Sequence, residues 1–510
     1  MMQSNKAGIL EGNRIILNTT VNEIRVALVE DGRLTEFFVE RADIERMIGN
    51  IYKGRVVSVH SGLKAAFVDI DANKAAFLPL TWVSEENDFD IDEDSSSVET
   101  VRVESGNELL VQVIKDPLGT KGARVTTNVS IPGKFLVLTP LSNKVAVSRK
   151  IPDRKERDRL KRIIRKLKPK DMGFIIRTAA EGGNEKDFQV DIKRLLRIWS
   201  KIRQIALKKT KKNVPALIHK DTELVIRLMR DLLTERINEV VVDSKEEQKK
   251  ILKYISFITP GMAKKVNLYQ GKESIFRAYK IQNEITTMLN KRIKLKSGGY
   301  IIIEPTEALV AIDVNSGKSL SATVPEKLAL ITNLEAATEI AQQLRLRDIG
   351  GIIVVDFIDM EKARSREQVL STFKKAMRGD RARYKLLCIS NLGLMEMTRK
   401  RVSPEIAQSF FDICPVCEGK GKVLSQIHLS LKVIRGIESK AKKLTDRSII
   451  LYGHPEFIDF FSKEFSDRLA HFSRKFRISI QLRKDAAFSI DSLKIFDNEK
   501  LKDITGVVLE

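Results

Sequence analysis

Short runs of alternating apolar residues dominate the first part of the chain. The stretches RIILN, EIRVALVE and LTEFFVE, within residues 14–40, predict three paired strands, with a hairpin turn at Asp31-Gly32. From residue 51 the runs IYKGRVVSVH, KAAFVDI and KAAFLPL are short and are joined by Gly, Asp and Asn, and ELLVQVIKD and KFLVLTP follow. The spacing of the first three runs is typical of a small β-barrel, and the last two resume the strand pattern.

Helical periodicity becomes prominent after residue 150. It predicts a basic helix over residues 152–170, a second one over 185–208 and a third over 222–239, with the strands GFIIRT and EVVVD between and after them. Residues 298–357 predict the strands YIIIEP and ALVAIDV, a helix over 333–348 and the strand GIIVVDF. A helix over 425–440, the strand SIILYG, a Phe-rich helix over 455–472 and the strand RISIQLRK then predict a small αβ module.

Length and charge narrow the class of protein. With 510 residues, 43% of them hydrophobic, the chain is long enough for several domains with their own cores. The formal net charge of +23 favours a polyanionic partner, with nucleic acid first and an anionic membrane surface second. The acidic stretch EENDFDIDEDSSSVET, residues 85–100, contrasts with this charge, and its composition predicts a mobile loop inserted in the barrel.

Cysteine content and hydropathy predict the cellular compartment of the protein. Three cysteines in 510 residues exclude a disulfide framework and fit a reducing environment. No apolar run approaches the ~18 residues that span a bilayer, and the first residues have no signal-peptide core. We therefore expect a soluble cytoplasmic protein without a transmembrane segment.

Two aspartates stand at the ends of apolar runs, Asp313 after ALVAI and Asp356 after GIIVV. Because acids are rarely buried without a partner, each needs a cation, a capping role or solvent. One predicted helix separates them, so we expect them on neighbouring strands, where two carboxylates hold Mg²⁺ together with water and a phosphate. Asn315 points to the same side of an extended chain. The alternative is that both aspartates are structural acids.

Other catalytic chemistries have less support in the sequence. NSGKS, which begins at Asn315, resembles the end of a phosphate-binding loop, but Ile312 stands where that loop requires glycine. The five histidines form no motif. Hydrolysis by a metal-activated water is therefore the simplest enzymatic hypothesis.

Two features predict contact with RNA. Phe67 and Phe77 in the barrel runs either stack on bases or belong to the core, and Lys115, Lys121 and Arg124 lie nearby. Arg177-Thr178, at the end of GFIIRT, is a candidate anion pocket, since Arg offers a bidentate fork and Thr a hydroxyl.

The stretch CPVCEGKG resembles one half of a zinc site. Tetrahedral structural zinc needs four ligands. Besides Cys414 and Cys417, the chain has only one more cysteine, Cys388. Cys388 lies in the apolar run LLCIS, which predicts a buried thiol. The pair Cys414 and Cys417 is therefore half of a site shared between two chains, a redox pair or incidental.

Five separated motifs together resemble the bacterial ribonuclease E/G family. They are IYKGRVVSVHSGLKAAFVDIDANKAAFLPL, FIIRTA, ALVAIDVNSGK, NLEAATEIAQQLRLRDIGGIIVVDFIDM and CPVCEGKG. The resemblance covers essentially the whole chain. Because no long Arg/Pro-rich tail is present, it is closest to ribonuclease G or to the catalytic region of ribonuclease E.

The resemblance implies a multidomain α/β (α+β) fold. Its implied parts are a split ribonuclease-H-like domain (1–50 and 222–287), an OB-fold RNA-binding domain (51–128, with the acidic insertion 85–100), a 5′-sensor domain (129–221), a deoxyribonuclease-I-like catalytic domain (288–410), a zinc link (411–424) and a small αβ dimerisation domain (425–510).

The implied activity is endonucleolytic cleavage of single-stranded RNA, including rRNA and tRNA precursors and mRNA. It is stimulated by a 5′-monophosphate and leaves 5′-phosphate and 3′-hydroxyl ends. The implied cofactors are catalytic Mg²⁺ and structural Zn²⁺, with no small-molecule cofactor, and the implied assembly is a homodimer or a tetramer.

Motif matching assigns the site residues that the resemblance implies. The catalytic, Mg²⁺-binding set is Asp313, Asp356 and Asn315. The set that senses the 5′-phosphate is Arg177, Thr178, Gly133, Val137 and Arg149. The RNA-binding set is Phe67, Phe77 and Lys121, and the zinc ligands, shared between two chains, are Cys414 and Cys417. A non-catalytic RNA-binding scaffold and a structural assembly protein are the alternatives.

Overall fold

In a computed structural model the chain forms two compact units, Met1–Ser409 and Phe410–Glu510. The structure describes residues 12–41, 46–80, 89–90, 103–117, 121–209, 213–317, 325–401, 406, 410–444, 448–498 and 502–509. The architecture is mixed α/β, with open sheets and one small barrel. Within the described ranges, every helix is too short or too polar to cross a bilayer.

The first unit begins with a three-stranded meander. Its strands are β1 (Asn13–Thr19), β2 (Glu23–Glu30) and β3 (Arg33–Arg41). Asp31 and Gly32 both have positive φ, 48° and 78°, as a two-residue hairpin turn requires, so the predicted turn is confirmed.

A small closed barrel follows. Its strands are β4 (Ile51–His60), β5 (Ala65–Asp69), β6 (Ala76–Pro79), β8 (Glu108–Lys115) and β9 (Arg124–Thr126), and β4 pairs with both β5 and β8 to close it. The predicted barrel is confirmed. Of the acidic stretch 85–100, only Phe89 and Asp90 lie within the described residues. They form β7 (Phe89–Asp90), which pairs with the strand Val145–Ser148 of the next sheet.

The next region combines a small sheet with two basic helices. Its elements are β10 (Ile131–Pro132), β11 (Leu136–Thr139), β12 (Val145–Ser148), α1 (Arg154–Leu167), β13 (Gly173–Ile176) and α2 (Glu185–Lys208). The strand order is β10-β11-β13-β12-β7. The side chain of Asn184 and that of Asp187 form a reciprocal capping box, which explains why α2 begins where the pattern predicts.

Two distant chain segments then join into one sheet. The elements are β14 (Ala216–His219), α3 (Leu224–Leu232), β15 (Ile237–Val242), α4 (Lys245–Ile258), β16 (Val266–Leu268), α5 (Ile275–Ala278) and α6 (Gln282–Thr287). Strand β14 extends the barrel, whereas β15 pairs in parallel with β1 and gives the order β16-β15-β1-β2-β3.

The last part of the first unit is a sheet backed by helices, called here the helix-backed sheet. Its elements are β17 (Arg292–Lys294), β18 (Tyr300–Pro305), β19 (Val310–Asn315), α7 (Pro325–Leu346), β20 (Gly351–Asp356), α8 (Ala363–Ala376), β21 (Tyr384–Ile389) and β22 (Leu394–Arg399). The order is β17-β18-β19-β20-β22-β21. Helices α7 and α8 cover one face of this sheet and share a core with it. Side chains on the other face of the sheet, called here the open face, are exposed or half-buried.

The second unit is a separate αβ module with its own core. Its elements are α9 (Gln426–Leu444), β23 (Ser448–Gly453), α10 (Pro455–Glu464), α11 (Ser466–Phe476), β24 (Ser479–Lys484), β25 (Leu493–Asp497), β26 (Lys502–Asp503) and α12 (Thr505–Leu509). The predicted helix over 455–472 is wrong in one respect. It is two helices that break at Phe465 (φ −119°, ψ 18°), and this break lets both Phe461 and Phe472 reach the core.

Candidate active site and RNA-binding surfaces

The open face of the helix-backed sheet carries two aspartates side by side. Asp313 on β19 and Asp356 at the end of β20 are direct register partners on parallel strands, as the sequence predicts. Strand alternation turns Ile312 and Val355 into the core and leaves both carboxylates exposed. Nδ2 of Asn315 donates to Oδ2 of Asp313 over 2.6 Å, which orients that carboxylate.

A buried asparagine in α7 fixes the segment after β20. Asn333 is fully buried; its amide nitrogen donates to the carbonyl oxygen of Ile358 (2.7 Å), and its amide oxygen accepts from the N–H of Ile358 (3.1 Å). Because both backbone groups of Ile358 are held, the segment from Asp356 to Asp359 has one defined path. A third carboxylate, Asp359, is thereby kept near the first two.

Three carboxylates lie close together at this point of the face. Partial burial, and then the neighbouring carboxylates of Asp313 and Asp359, raise the pKa of Asp356 above its ordinary value. In the part of the chain that the structure describes, no group of three or more His, Cys, Asp or Glu side chains is arranged to hold a metal by itself. Two carboxylates with a polar amide nevertheless fit a hard cation that keeps most of its water, as Mg²⁺ does.

The residues assigned to the RNA 5′ end meet where three strands end. Arg177 follows β13, and its Nη1 donates to the carbonyl oxygen of Gly133 (2.7 Å) while its Nη2 contacts Oδ1 of Asp231 (2.7 Å). Asp231 also accepts from Nε and Nη2 of Arg230, at 3.0 and 3.1 Å. Burial alone would raise the pKa of Asp231, but Arg230 and Arg177 outweigh it and hold that pKa below its ordinary value. The Arg177 guanidinium is therefore fixed before any ligand binds.

The other residues of this set lie at the same strand ends. Thr178 begins a 3₁₀ turn beside Arg177 and is exposed. Val137 is half-buried on β11, and Arg149 is exposed directly after β12. Since β13 lies between β11 and β12 in the sheet, the structure brings the whole predicted set together at one end of these three strands.

Backbone N–H groups of the segment after Gly133 converge on one buried carboxylate. Asp191 is 1% exposed and accepts from the N–H groups of Lys134, Phe135 and Leu136 at 3.4, 2.9 and 3.1 Å. A Cβ at Gly133 would lie 2.5 Å from Oδ2 of Asp191, so only glycine fits there. Burial raises the pKa of Asp191, although the three N–H groups oppose that shift. Asp191 thus shapes the segment that contacts Arg177.

The barrel presents an aromatic pair on its outer surface. Phe67 and Phe77 are cross-strand partners whose ring centroids lie 6.0 Å apart at 74°, and the ring of His60 meets Phe67 at 5.4 Å. Both phenylalanines are half-buried and lie outside the barrel core, so the core alternative is wrong, and base stacking stays a prediction. Arg124 stands opposite Phe77, and Lys121 is exposed nearby. Aromatic rings bordered by cations are what proteins use to hold single-stranded nucleic acid.

Cys414 and Cys417 form one turn of the second unit. The N–H of Glu418 donates to the carbonyl oxygen of Cys414 (2.8 Å), and that of Lys420 donates to the carbonyl oxygen of Cys417 (2.7 Å). The N–H groups of Cys417 and Val416, and then the Cys417 side chain, lower the pKa of the Cys414 thiol. A lower pKa favours the thiolate, which is the form that binds zinc.

The third cysteine departs from its prediction. LLCIS predicts a buried thiol at Cys388, and that prediction is wrong, because Cys388 is exposed on β21. The pairing of β21 with β22 shifts register between Leu386 and Ile389. Such an irregularity interrupts the alternation of inward and outward side chains, and an apolar run in the sequence does not reveal it.

Sequence reasoning missed three residues that shape these sites: Asn333, Asp191 and Asp231. Asn333 has a local signal, since an amide among the apolar residues of a predicted helix needs a buried partner. Asp191 and Asp231 have none, because helices often carry acids on solvated faces and the partners of these two are far away in sequence.

Comparison with known proteins gives the family. Residues 130–402 match the model of the Ribonuclease E/G family, and residues 413–500 match the thioredoxin-like domain of RNase E/G. The chain therefore belongs to the ribonuclease E/G family, as its motifs indicate.

Curated relatives agree with this assignment. Ribonuclease G of Haemophilus influenzae is 36% identical over 465 residues, which are 90% of this chain and 94% of the relative. Ribonuclease G of Escherichia coli strain K12 is 37% identical over 89% of this chain and 94% of the relative. Ribonuclease E of Haemophilus influenzae is 36% identical over 96% of this chain, but the match spans only 53% of that relative, about half of its length.

Proposed function

We propose that this protein is a Mg²⁺-dependent endoribonuclease of the cytoplasm. It cleaves single-stranded RNA, is stimulated by a 5′-monophosphate and leaves 5′-phosphate and 3′-hydroxyl ends. Precursors of rRNA and tRNA, and mRNA, are its substrates. The observation that carries the proposal is the pairing of Asp313 with Asp356 in direct register on an open sheet face, in a chain whose relatives are named ribonuclease G.

At the catalytic face, Asp313 and Asp356 would hold the cation, and the Asn315 amide orients the Asp313 carboxylate. When bound, Mg²⁺ supplies Lewis acidity to the scissile phosphate and to the attacking water. Asn333 maintains the position of the segment that follows Asp356, so the second carboxylate does not drift when RNA binds.

Away from the cut, the chain's own residues hold the substrate. Arg177 has five N–H donors, and its contacts with Gly133 and Asp231 leave donors for a terminal phosphate, beside the exposed hydroxyl of Thr178. Phe67 and Phe77 stack on bases. Binding energy from these remote contacts positions the strand at the carboxylates, which is how a 5′-monophosphate stimulates cleavage.

We assign these sites to the family's domains. The barrel is the OB-fold, the sheet of Arg177 is the 5′ sensor, and the sheet that joins β1 with β15 is the split ribonuclease-H-like domain. The helix-backed sheet is the deoxyribonuclease-I-like catalytic domain, and the zinc link and the small dimerisation domain make up the second unit.

The decisive experiment measures cleavage of a short single-stranded RNA that carries a 5′-monophosphate, with Mg²⁺ or with a chelator. We expect Asp313→Asn and Asp356→Asn each to lower the rate roughly a thousand-fold, because either change removes a metal-binding charge, while RNA binding persists. Chelation should abolish cleavage by the unaltered protein. The same RNA with a 5′-hydroxyl should be cut more slowly.

A matched control is Glu307→Gln, which removes an exposed acid from the turn between β18 and β19. It should cut at the normal rate. Near-normal cleavage by either aspartate variant would overturn the site. RNA binding without any Mg²⁺-dependent cleavage by the unaltered protein would instead identify the alternative, a non-catalytic RNA-binding scaffold.

We further propose that Cys414 and Cys417 supply half of a Zn²⁺ site that a second copy completes, which makes the protein a homodimer or a tetramer of such dimers. Two thiols cannot fill a tetrahedral site, and two copies related by a two-fold axis can. Apolar side chains around the turn are exposed and give the second copy something to cover: Phe411, Ile413, Val416, Val423 and Leu424.

Metal content and molar mass test this site together. We expect about one zinc per two chains, because four thiolates form one site. Cys414→Ser should lose the zinc and shift the mass toward the monomer, whereas Cys388→Ser should change neither. A Cys414→Ser variant that stays dimeric with bound zinc would contradict a shared site.

A further inference from the structure

The open face of the helix-backed sheet carries a stacked cation and aromatic ring near the aspartates. The guanidinium carbon of Arg292 on β17 lies 3.6 Å from the ring centroid of Tyr300 on β18. Arg292 is exposed and Tyr300 is half-buried. A guanidinium this close to a ring is held by a cation–π contact, and its N–H groups remain able to bind a ligand.

Strand register places this pair relative to the carboxylates. Arg292 is the partner of Ile302, Ile302 of Asp313, and Asp313 of Asp356, so one row across four strands contains Arg292 and both acids. Direct cross-strand partners project to the same face. With strands ~4.8 Å apart, Arg292 stands about 10 Å from Asp313 along the row.

The next row ties Tyr300 to the same site. Tyr300 is the register partner of Asn315, and Lys294 is the partner of Tyr300. The aromatic ring that supports Arg292 is thus one strand away from the amide that orients Asp313. One face of the sheet therefore carries two acids, an amide, a stacked guanidinium and a further exposed lysine.

Arg292 and its neighbour Lys291 differ in ion pairing. Lys291 contacts the carboxylate of Glu304, whereas Arg292 takes part in no ion pair with the described residues. An exposed guanidinium that has no ion-pair partner among the described residues, held against a ring in the row that contains both acids, is available to an external anion. Arg binds phosphate with a bidentate fork and is more weakly hydrated than Lys, so it loses less on binding.

We propose that Arg292, kept in plane by Tyr300, is a phosphate-binding subsite for the RNA strand that crosses this face toward Asp313 and Asp356. The inference rests on the proposed function and adds to it a positioning contact for the backbone next to the cut. Arg292 fixes the direction in which the strand leaves the carboxylates.

Binding of a single-stranded RNA in the presence of a chelator, measured by fluorescence anisotropy over a series of salt concentrations, isolates this contact from cleavage. Arg292→Gln should weaken binding roughly five-fold and lower the slope of log affinity against log salt by about 0.7, the value for one phosphate contact on a single strand. Arg292→Lys should restore the slope but only part of the affinity, because Lys cannot stack as a plane.

Two more variants separate the subsite from general electrostatics. Tyr300→Leu should retain the slope and weaken binding about two-fold, since it removes the support and leaves the charge. Lys291→Gln, which removes the same charge one residue away, should change neither quantity, because Glu304 already faces that ammonium. Thermal melting checks that each variant is folded.

The outcomes distinguish this inference from the proposed function. An unchanged salt slope in Arg292→Gln, or an equal change in Lys291→Gln, overturns the subsite while cleavage by the unaltered protein still stands. Binding with the expected slopes but no cleavage in Mg²⁺ overturns the nuclease and retains the phosphate contact. Absence of RNA binding by the unaltered protein overturns both.

Discussion

The pocket around Arg177 and the face around Asp313 solve opposite electrostatic problems. In the pocket, the charged side chains have partners within the chain. Arg177 and Arg230 share Asp231, and Asp191 accepts three backbone N–H groups. Around Asp356 carboxylates are gathered, because Asp313 and Asp359 stand near it and raise its pKa.

This difference fits the ligands that we propose for the two sites. A phosphate pocket gains from a guanidinium whose direction is set before the ligand binds. Buried partners set that direction, and the fold is then sensitive to the removal of any of these partners. A metal site gains from unpaired carboxylates, which repel each other until the cation arrives. The pocket should therefore stabilise the fold, whereas the carboxylates should weaken it.

The largest effect on stability should come from the pocket. Asp231→Asn leaves Arg230, whose side chain is 8% exposed, without its ionic partner, so we expect it to lower the free energy of unfolding by about 2 kcal/mol. It also loosens Arg177, so the preference for a 5′-monophosphate over a 5′-hydroxyl should fall. Urea unfolding followed by circular dichroism, and cleavage of the two RNAs, measure these effects.

The pH dependence of that loss has a definite sign. The pKa of Asp231 is lower in the folded than in the unfolded protein, so its contribution is fully present above the unfolded value of about 3.9 and disappears as pH falls through the folded pKa. The gap between Asp231→Asn and the unaltered protein should therefore close in acid. Asp171→Asn, an exposed acid before β13, is the control, and a gap that persists in acid would contradict the ionic origin.

The two sites also differ in how much of each the sequence could predict. Asp313 and Asp356 are visible because each follows an apolar run, and their pairing follows from a parallel crossover. The barrel, the hairpin at Asp31-Gly32 and helix α2 are likewise predictable, because local pattern, turn residues and a capping box determine them.

What could not be predicted depends on contacts between distant segments. Asp231 meets Arg177 from another helix, and β15 pairs with β1 although more than two hundred residues separate them. The irregular pairing that exposes Cys388 and the helix break at Phe465 are also tertiary outcomes, because packing decides them over a pattern that reads as continuous. Long-range partners leave no periodic signal in either segment.

The smallest predicted effect has the opposite sign and tests the contrast directly. In metal-free buffer, Asp356→Asn should raise the free energy of unfolding by about 0.5 kcal/mol, because it removes one of three neighbouring carboxylates from an exposed face. Millimolar Mg²⁺ should reverse the order, since the cation stabilises only the protein that binds it. The control Glu307→Gln removes an exposed acid that has no acidic neighbours in the site. Its free energy of unfolding should match that of the unaltered protein in metal-free buffer, and Mg²⁺ should not reverse any order between them. A destabilised Asp356→Asn in metal-free buffer would mean that this carboxylate supports the fold as Asp231 does, and the distinction between the two sites would fail.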